Sequence, residues 1–183
     1  MALRKELKDM SLEELWELFP IVLCEHDDRW KEWAREEIDG LARLLGDFSP
    51  EINHIGSTAV PGIMAKPIVD ILVEVESAAM YDAVCQRMEG AGYICMSRDE
   101  MRMSFNKGYT PDGYAERVFH IHVHLRGDNA EVAFRDYLIA HPAVAREYEA
   151  LKKSLLPRFR NDRDGYTDAK SSFISAVKKL QQA

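Results

Sequence analysis

The nine residues Pro67–Val75 (Pro-Ile-Val-Asp-Ile-Leu-Val-Glu-Val) are almost continuously apolar and rich in β-branched side chains. A run this short and this branched reads as a central strand buried on both faces. Such a strand needs neighbours on both edges and cover on both sides, so the chain must build a sheet with flanking helices. The other segments supply them. Ile52 to Gly56 reads as a short strand entering a turn, and Tyr93 to Met96, Met103 to Lys107 and Val118 to Arg126 as further strands. Pro111, Asp112 and Gly113 form the turn between the last two.

Helical periods flank these strands. Ser11 followed by Glu14 is a capping box that opens a helix from Leu12 to Phe19, stopped by Pro20. A second helix runs from about Asp28 to Leu45, with Trp30, Trp33, Ile38, Leu41, Leu44 and Leu45 as its apolar stripe and Gly46 at its end. Ser77 to Glu89 reads as a third. From Asp128 onward the pattern is helical throughout. Asp128 and Glu131 resemble another capping box, and Pro142 and Pro157 divide the remainder into helices near 129–140, 142–156 and 165–181. The predicted class is α+β, a mixed sheet of four or five strands with flanking helices and a C-terminal helical bundle. Residues 1–24 read as an N-terminal helical extension. Residues 25–183 read as one domain, its sheet part about 50–126 and its helical part about 128–183.

Charge narrows the partners. The chain has 24 Lys+Arg against 31 Asp+Glu, a net −7, so its overall field repels nucleic acid and anionic membrane. A polyanion must be met by a local cluster of cations. No apolar run approaches the roughly 20 residues that span a bilayer. The polar N-terminus does not resemble a signal peptide, and three cysteines without metal-type spacing suit a reducing compartment. A cytoplasmic protein is expected.

The stretch His54 to Val75 concentrates the chemistry. A strand ends at Ile55, Gly56 lets the backbone turn closely, and Ser57 and Thr58 offer hydroxyls beside freed amides. Such a turn cradles an anion. Asp70 then falls in the middle of an apolar strand. A buried carboxylate needs a partner, and Lys66 or a cation is the candidate. His54 is placed to orient the turn through an imidazole N–H, or equally to be a satisfied edge residue.

A Gly-Ser turn followed within about a dozen residues by a strand carboxylate resembles the nucleotidyltransferase superfamily. The longer string His-Ile-Gly-Ser-Thr-Ala-Val-Pro-Gly, followed by Ala-Lys-Pro-Ile-Val-Asp-Ile-Leu-Val, closely resembles the GrpB family. The likeness continues through His120–Val123, Phe134–Leu138, Glu147–Lys152 and Tyr166–Ser171, and covers roughly residues 25 to 180. It implies a nucleotidyltransferase-like fold and transfer of a nucleotidyl group from an NTP to a small acceptor, assisted by Mg²⁺ or Mn²⁺. On that reading Gly56, Ser57 and Thr58 hold phosphates and Asp70 holds the metal. The pattern is broken at one place. The position two residues after Asp70, where such enzymes carry a second carboxylate, is Leu72. Glu74 shares the face of Asp70 but lies roughly 13 Å away at 3.3 Å per residue, too far to share one ion. A degenerate module that binds a phospholigand without turning it over is the alternative.

His120, His122 and His124 alternate with apolar residues, so all three imidazoles point to one face of one strand. His120 and His122 are candidate metal ligands beside Asp70, with His122 also a candidate base. The competing reading is a polar face on a half-exposed strand. His124 lies too far along for the same ion. For phosphate charge the candidates are Lys66, ranked first, then Arg135, with Arg102, Lys107 and Lys170. Each competes with the ordinary role of a solvated charge or surface pair. The aromatic residues Trp30, Trp33, Phe134, Tyr137, Tyr148 and Phe173 read as core packing.

Overall fold

The computed structural model describes residues 5–181. Five strands form one mixed sheet: β1 (Glu51–Ile55), β2 (Val69–Val75), β3 (Ile94–Arg98), β4 (Arg102–Thr110) and β5 (Gly113–Leu125). Their spatial order is β1-β2-β5-β4-β3. The apolar run Val69–Val75 is central, antiparallel to β1 and parallel to β5. Every residue of β2 except Asp70 is buried. The helices are α1 (Leu12–Leu18), α2 (Arg29–Leu44), α3 (Tyr81–Gly90), α4 (Ala130–Ala140), α5 (Pro142–Phe159), α6 (Arg163–Asp168) and α7 (Ser171–Leu180).

Period-2 alternation divides the sheet into two chemically different faces. Val69, Ile71, Val73 and Val75 join Phe119, Ile121, Val123, Met103 and Phe105 in a core with Trp30, Trp33 and Leu41 of α2 and with Tyr81, Val84 and Met88 of α3. The opposite face carries Asp70, Leu72 and Glu74 on β2, and these register with His120, His122 and His124 on β5. Val60 and Ile63 from the β1–β2 connection pack with Leu138, Ala145 and Tyr148 in a second cluster, which joins that connection to α4 and α5. The polar face and α5–α6 thus enclose a cavity, and the apolar face anchors it.

The first capping box is present: Ser11 accepts from the Glu14 amide, and Glu14 reaches back to the Ser11 amide. The second is not. Asn129 is the N-cap of α4 and makes no side-chain cap bond. Asp128 is instead held by Arg102 through two hydrogen bonds of 2.8 Å, a bidentate charge-assisted pair that a cap bond does not match. Pro157 does not end its helix. It sits inside α5, which continues to Phe159, and the last helical stretch is split into α6 and α7. The hairpin at Pro111–Asp112 is present, but its strands are longer than expected, because pairing continues past a bulge between Lys107 and Tyr109. Trp30 and Trp33 are core residues, and Phe134 and Phe173 pack on Tyr148. All three cysteines are free and partly exposed. The part of the N-terminal segment that is described is tied down: Phe19 packs on Tyr109 and Tyr114, the Ile21 amide donates to the Arg160 carbonyl, and Cys24 bridges Ala65. No helix of the described residues is long and apolar enough to cross a membrane.

Candidate metal and phosphate site

The parallel register of β2 and β5 sets Asp70 opposite His120 and Leu72 opposite His122. Both imidazoles converge on one carboxylate oxygen. Asp70 Oδ1 lies 3.2 Å from His122 Nε2 and 3.4 Å from His120 Nδ1. Burial pushes the Asp70 carboxyl up, but the two imidazoles beside it outweigh burial and hold it well below the usual carboxylate range. Lys66 is not within ion-pair distance; the partner expected from within β2's own segment comes from the neighbouring strand.

An outer layer supports the imidazoles. His120 Nε2 is 2.7 Å from the Tyr109 hydroxyl, which accepts a 2.8 Å hydrogen bond from Arg163. Arg163 also donates to the Tyr114 hydroxyl at 2.9 Å. Burial drives the His120 imidazole toward its neutral form, the form a metal ligand needs. His124 is different: it is buried, its Nδ1 lies 2.8 Å from the Asp128 carbonyl, and it belongs to the capping region of α4. Glu74 is fully buried beside it and accepts from the Gly127 amide and the Asn129 side chain.

The turn after β1 closes the site from the other side. Gly56 has φ +73°, and a Cβ there would stand 2.6 Å from Asp70 Oδ2. The close approach that this glycine permits is therefore to the carboxylate itself. His54 Nε2 is 2.9 Å from the Thr58 hydroxyl, so His54 does orient the turn, and burial lowers its pKa to about 4. Ser57 and Thr58 face a cavity of about 650 Å³ lined also by Asp70, His120, His122 and Ser104. Lys66, Lys152, Lys170 and Arg163 converge on the same cavity, against Asp164 and Asp168. Lys66 and Lys170 flank the ring of Tyr166 at 5.8 and 4.8 Å, and Lys152 donates to the Met64 carbonyl. Burial lowers Lys66 to about 8 and Lys152 to about 7, and it lowers Lys170 as well. Four basic side chains thus gather in one partly closed cavity of an acidic chain.

The structure brings Ser57, Thr58, Lys66, Asp70, His120, His122 and Lys170 together, with Gly56 against Asp70. It does not bring Arg102, Lys107 or Arg135 into the cavity lining. Arg102 registers with His124, one pair beyond His122, and its guanidinium is taken by Asp128. Lys107 lies on the opposite face of the sheet, in a 2.7 Å salt bridge with Glu37. Arg135 pairs with Asp136 and donates to the His54 carbonyl at 2.6 Å, which braces β1. Arg102→Ala and Lys107→Ala are accordingly expected to leave the affinity for inorganic triphosphate unchanged, as read by titration calorimetry. The sequence reading missed Lys152, Arg163, Tyr109 and Ser104. Lys152 had a signal, since it falls four residues after Tyr148 and so on the same face of α5. Arg163 had none.

The donor set fits a divalent ion. Asp70, His120 and His122 each offer one ligand atom, and these atoms lie within 4.8 Å of one another. The set is one oxygen and two nitrogens, with room on the cavity side for further ligands.

Similarity to known proteins runs over most of the chain. The model of the family described as GrpB protein matches residues 20–180. The glutamate-rich protein GrpB of Alkalihalophilus pseudofirmus is 36% identical over 163 residues, which span 86% of this chain and 93% of that protein. The crystal structure of the conserved protein GrpB from Enterococcus faecalis superposes with a TM-score of 0.74 at 31% identity, covering 87% of this chain and 96% of that one. The Cid1 poly(U) polymerase with MgGTP bound gives a TM-score of 0.50 at 14% identity, over 77% of this chain and 44% of that one. That last likeness is one of fold, and the fold is nucleotidyltransferase-like.

Proposed function

The chain belongs to the GrpB family, and from its cavity we propose that it transfers a nucleotidyl group from a nucleoside triphosphate to a small acceptor. One observation carries this: Lys66, Lys152, Lys170 and Arg163 face the cavity whose wall holds Asp70 and His122. The Gly56–Thr58 turn and the lysines bind the β- and γ-phosphates, and Lys66 offsets the charge that develops on them. Asp70, His120 and His122 would hold a divalent ion, which supplies neutralisation of phosphate charge and activation of a bound hydroxyl. In the transfer, a bond forms between an acceptor oxygen and the α-phosphorus, the bond from that phosphorus to the β-phosphate oxygen breaks, and pyrophosphate leaves. His122, at 35% the most exposed of the three side chains, stands where the acceptor's proton departs or completes the ligand set.

A second reading has its own support. Leu72 is fully buried opposite His122, so β2 offers one carboxylate at the site and not two. A module that binds a phospholigand without turning it over needs only the turn and the cations. His122→Ala separates the two. It is expected to abolish transfer of label from NTP while NTP binding measured without added metal weakens by no more than about tenfold, or ~1.4 kcal/mol, because the turn and the lysines are untouched. Turnover that survives in His122→Ala removes this residue from the reaction. Tight binding without turnover in the wild-type protein, with every acceptor tried, favours the binding module.

A further inference from the structure

We propose that Asp70, His120 and His122 select a borderline transition ion, of the Zn²⁺ or Co²⁺ class, over Mg²⁺; this rests on the reading of these three residues as a metal site. Mg²⁺ is a hard ion that demands oxygen ligands in near-octahedral array. The site offers it a single carboxylate. Where β2 could have supplied a second, it carries the buried Leu72, and the residue registered with Leu72 on β5 is His122. The neighbouring strand thus presents nitrogen donors beside Asp70. Imidazole with one carboxylate suits the later first-row divalent ions, whose affinity for nitrogen donors rises along the series.

Two further features point the same way. The outer nitrogen of His120 faces the Tyr109 hydroxyl at 2.7 Å, and Arg163 donates to that hydroxyl at 2.8 Å. The hydroxyl has two lone pairs. With one taken by Arg163, the other is free to accept an Nε2–H of His120, the tautomer in which the Nδ1 lone pair would be offered to an ion beside Asp70. An imidazole fixed in this way by an outer partner is the usual support of a metal ligand. The second feature is electrostatic. Lys66, Lys152, Lys170 and Arg163 share the cavity with Asp70 and repel every divalent ion alike, so an ion retained there must gain from the donor atoms and not from charge alone. Nitrogen donors bind a transition ion through their lone pairs and keep their advantage in that field.

The test uses the full chain after treatment with a chelator. Co²⁺ is titrated in and followed by its ligand-field absorption. The expected result is a saturable spectrum that Zn²⁺ displaces and a large excess of Mg²⁺ leaves unchanged. Asp70→Asn and His122→Gln should remove the spectrum. Tyr109→Phe should retain it with Co²⁺ affinity weakened about 10–100-fold, the usual cost of losing an outer-layer partner. Displacement of Co²⁺ by equimolar Mg²⁺, a spectrum that survives in either ligand variant, or no spectrum in the wild-type protein overturns the inference. Binding of inorganic triphosphate to the metal-free protein, measured by calorimetry on the same preparation, keeps the two readings apart. Triphosphate binding with no Co²⁺ spectrum overturns the metal inference and leaves the phosphate cavity standing. A Co²⁺ spectrum that responds as expected, without triphosphate binding, supports the metal inference while removing the phosphate reading.

Discussion

Gly56→Val is expected to eliminate both the divalent-ion response and most of the triphosphate binding, and to lower the melting temperature. Two physical costs combine at this position. The backbone φ is +73°, where a residue other than glycine is strained by about 1–3 kcal/mol. The Cβ would also stand 2.6 Å from Asp70 Oδ2 and 3.1 Å from Asp70 Cβ. The carboxylate must move, and its other oxygen is the one on which His120 and His122 converge. Gly62 provides the control. It has φ +72° and nothing within 4 Å of an added Cβ. Gly62→Ala should therefore show the strain alone, with metal and triphosphate binding intact. Comparison of Gly56→Ala with Gly62→Ala in thermal melts, with and without Co²⁺ and triphosphate, isolates the contact with Asp70. Equal behaviour of the two variants would mean that this contact does not govern the site.

The central strand was legible because a buried strand has no freedom in composition: Val69–Val75 is apolar but for Asp70 and Glu74. The same logic singled out Asp70, since a carboxylate in such a run needs a reason. The common face of His120 and His122 followed from alternation. What alternation cannot give is the strand that lies alongside. Lys66 was the expected partner of Asp70 because it is near in sequence, whereas the actual partners stand 50 and 52 residues further on, in a parallel register. The exclusion of Lys107 was readable in principle. It shares the parity of Met103 and Phe105, and these two residues face the core. Arg102 has the right parity but registers with His124, and only the register reveals that it serves the α4 terminus. Lys152 and Arg163 reach the cavity because α5 and α6 pack over the sheet, a long-range event that leaves little local trace. The false capping box at Asp128 has the same origin: its carboxylate had a partner on another strand.

Ligand-free stability and triphosphate affinity are expected to move in opposite directions with pH. Lys66 and Lys152 are lowered to about 8 and about 7, mainly by burial, with neighbouring cations adding and Asp70 and Glu149 respectively opposing. In the unfolded chain a lysine keeps its proton to about pH 10.4. Between about pH 7 and pH 10 these two lysines hold more protons in the unfolded state than in the native one, and their contribution to native stability rises with pH over that window. Below it both states are protonated, and the cost of burying the charges is fully present. A bound polyanion reverses the balance at the site, because it favours the charged amines and returns protons to them. Binding above about pH 7.5, where the terminal phosphate is already ionised, thus takes up protons, and affinity falls by up to about tenfold per pH unit for each proton taken up. Calorimetry in buffers of different ionisation enthalpy counts those protons directly. Lys152→Met should be more stable than the wild-type protein near neutral pH, with the advantage shrinking toward pH 10, and should bind triphosphate more weakly with a shallower pH slope. Lys152 is only 3% exposed, so solvent has little access to mute the effect. Stability that falls with pH across this window, or triphosphate binding without proton uptake, would show that these lysines keep their charge in the free protein and that the cavity is already set for its anion.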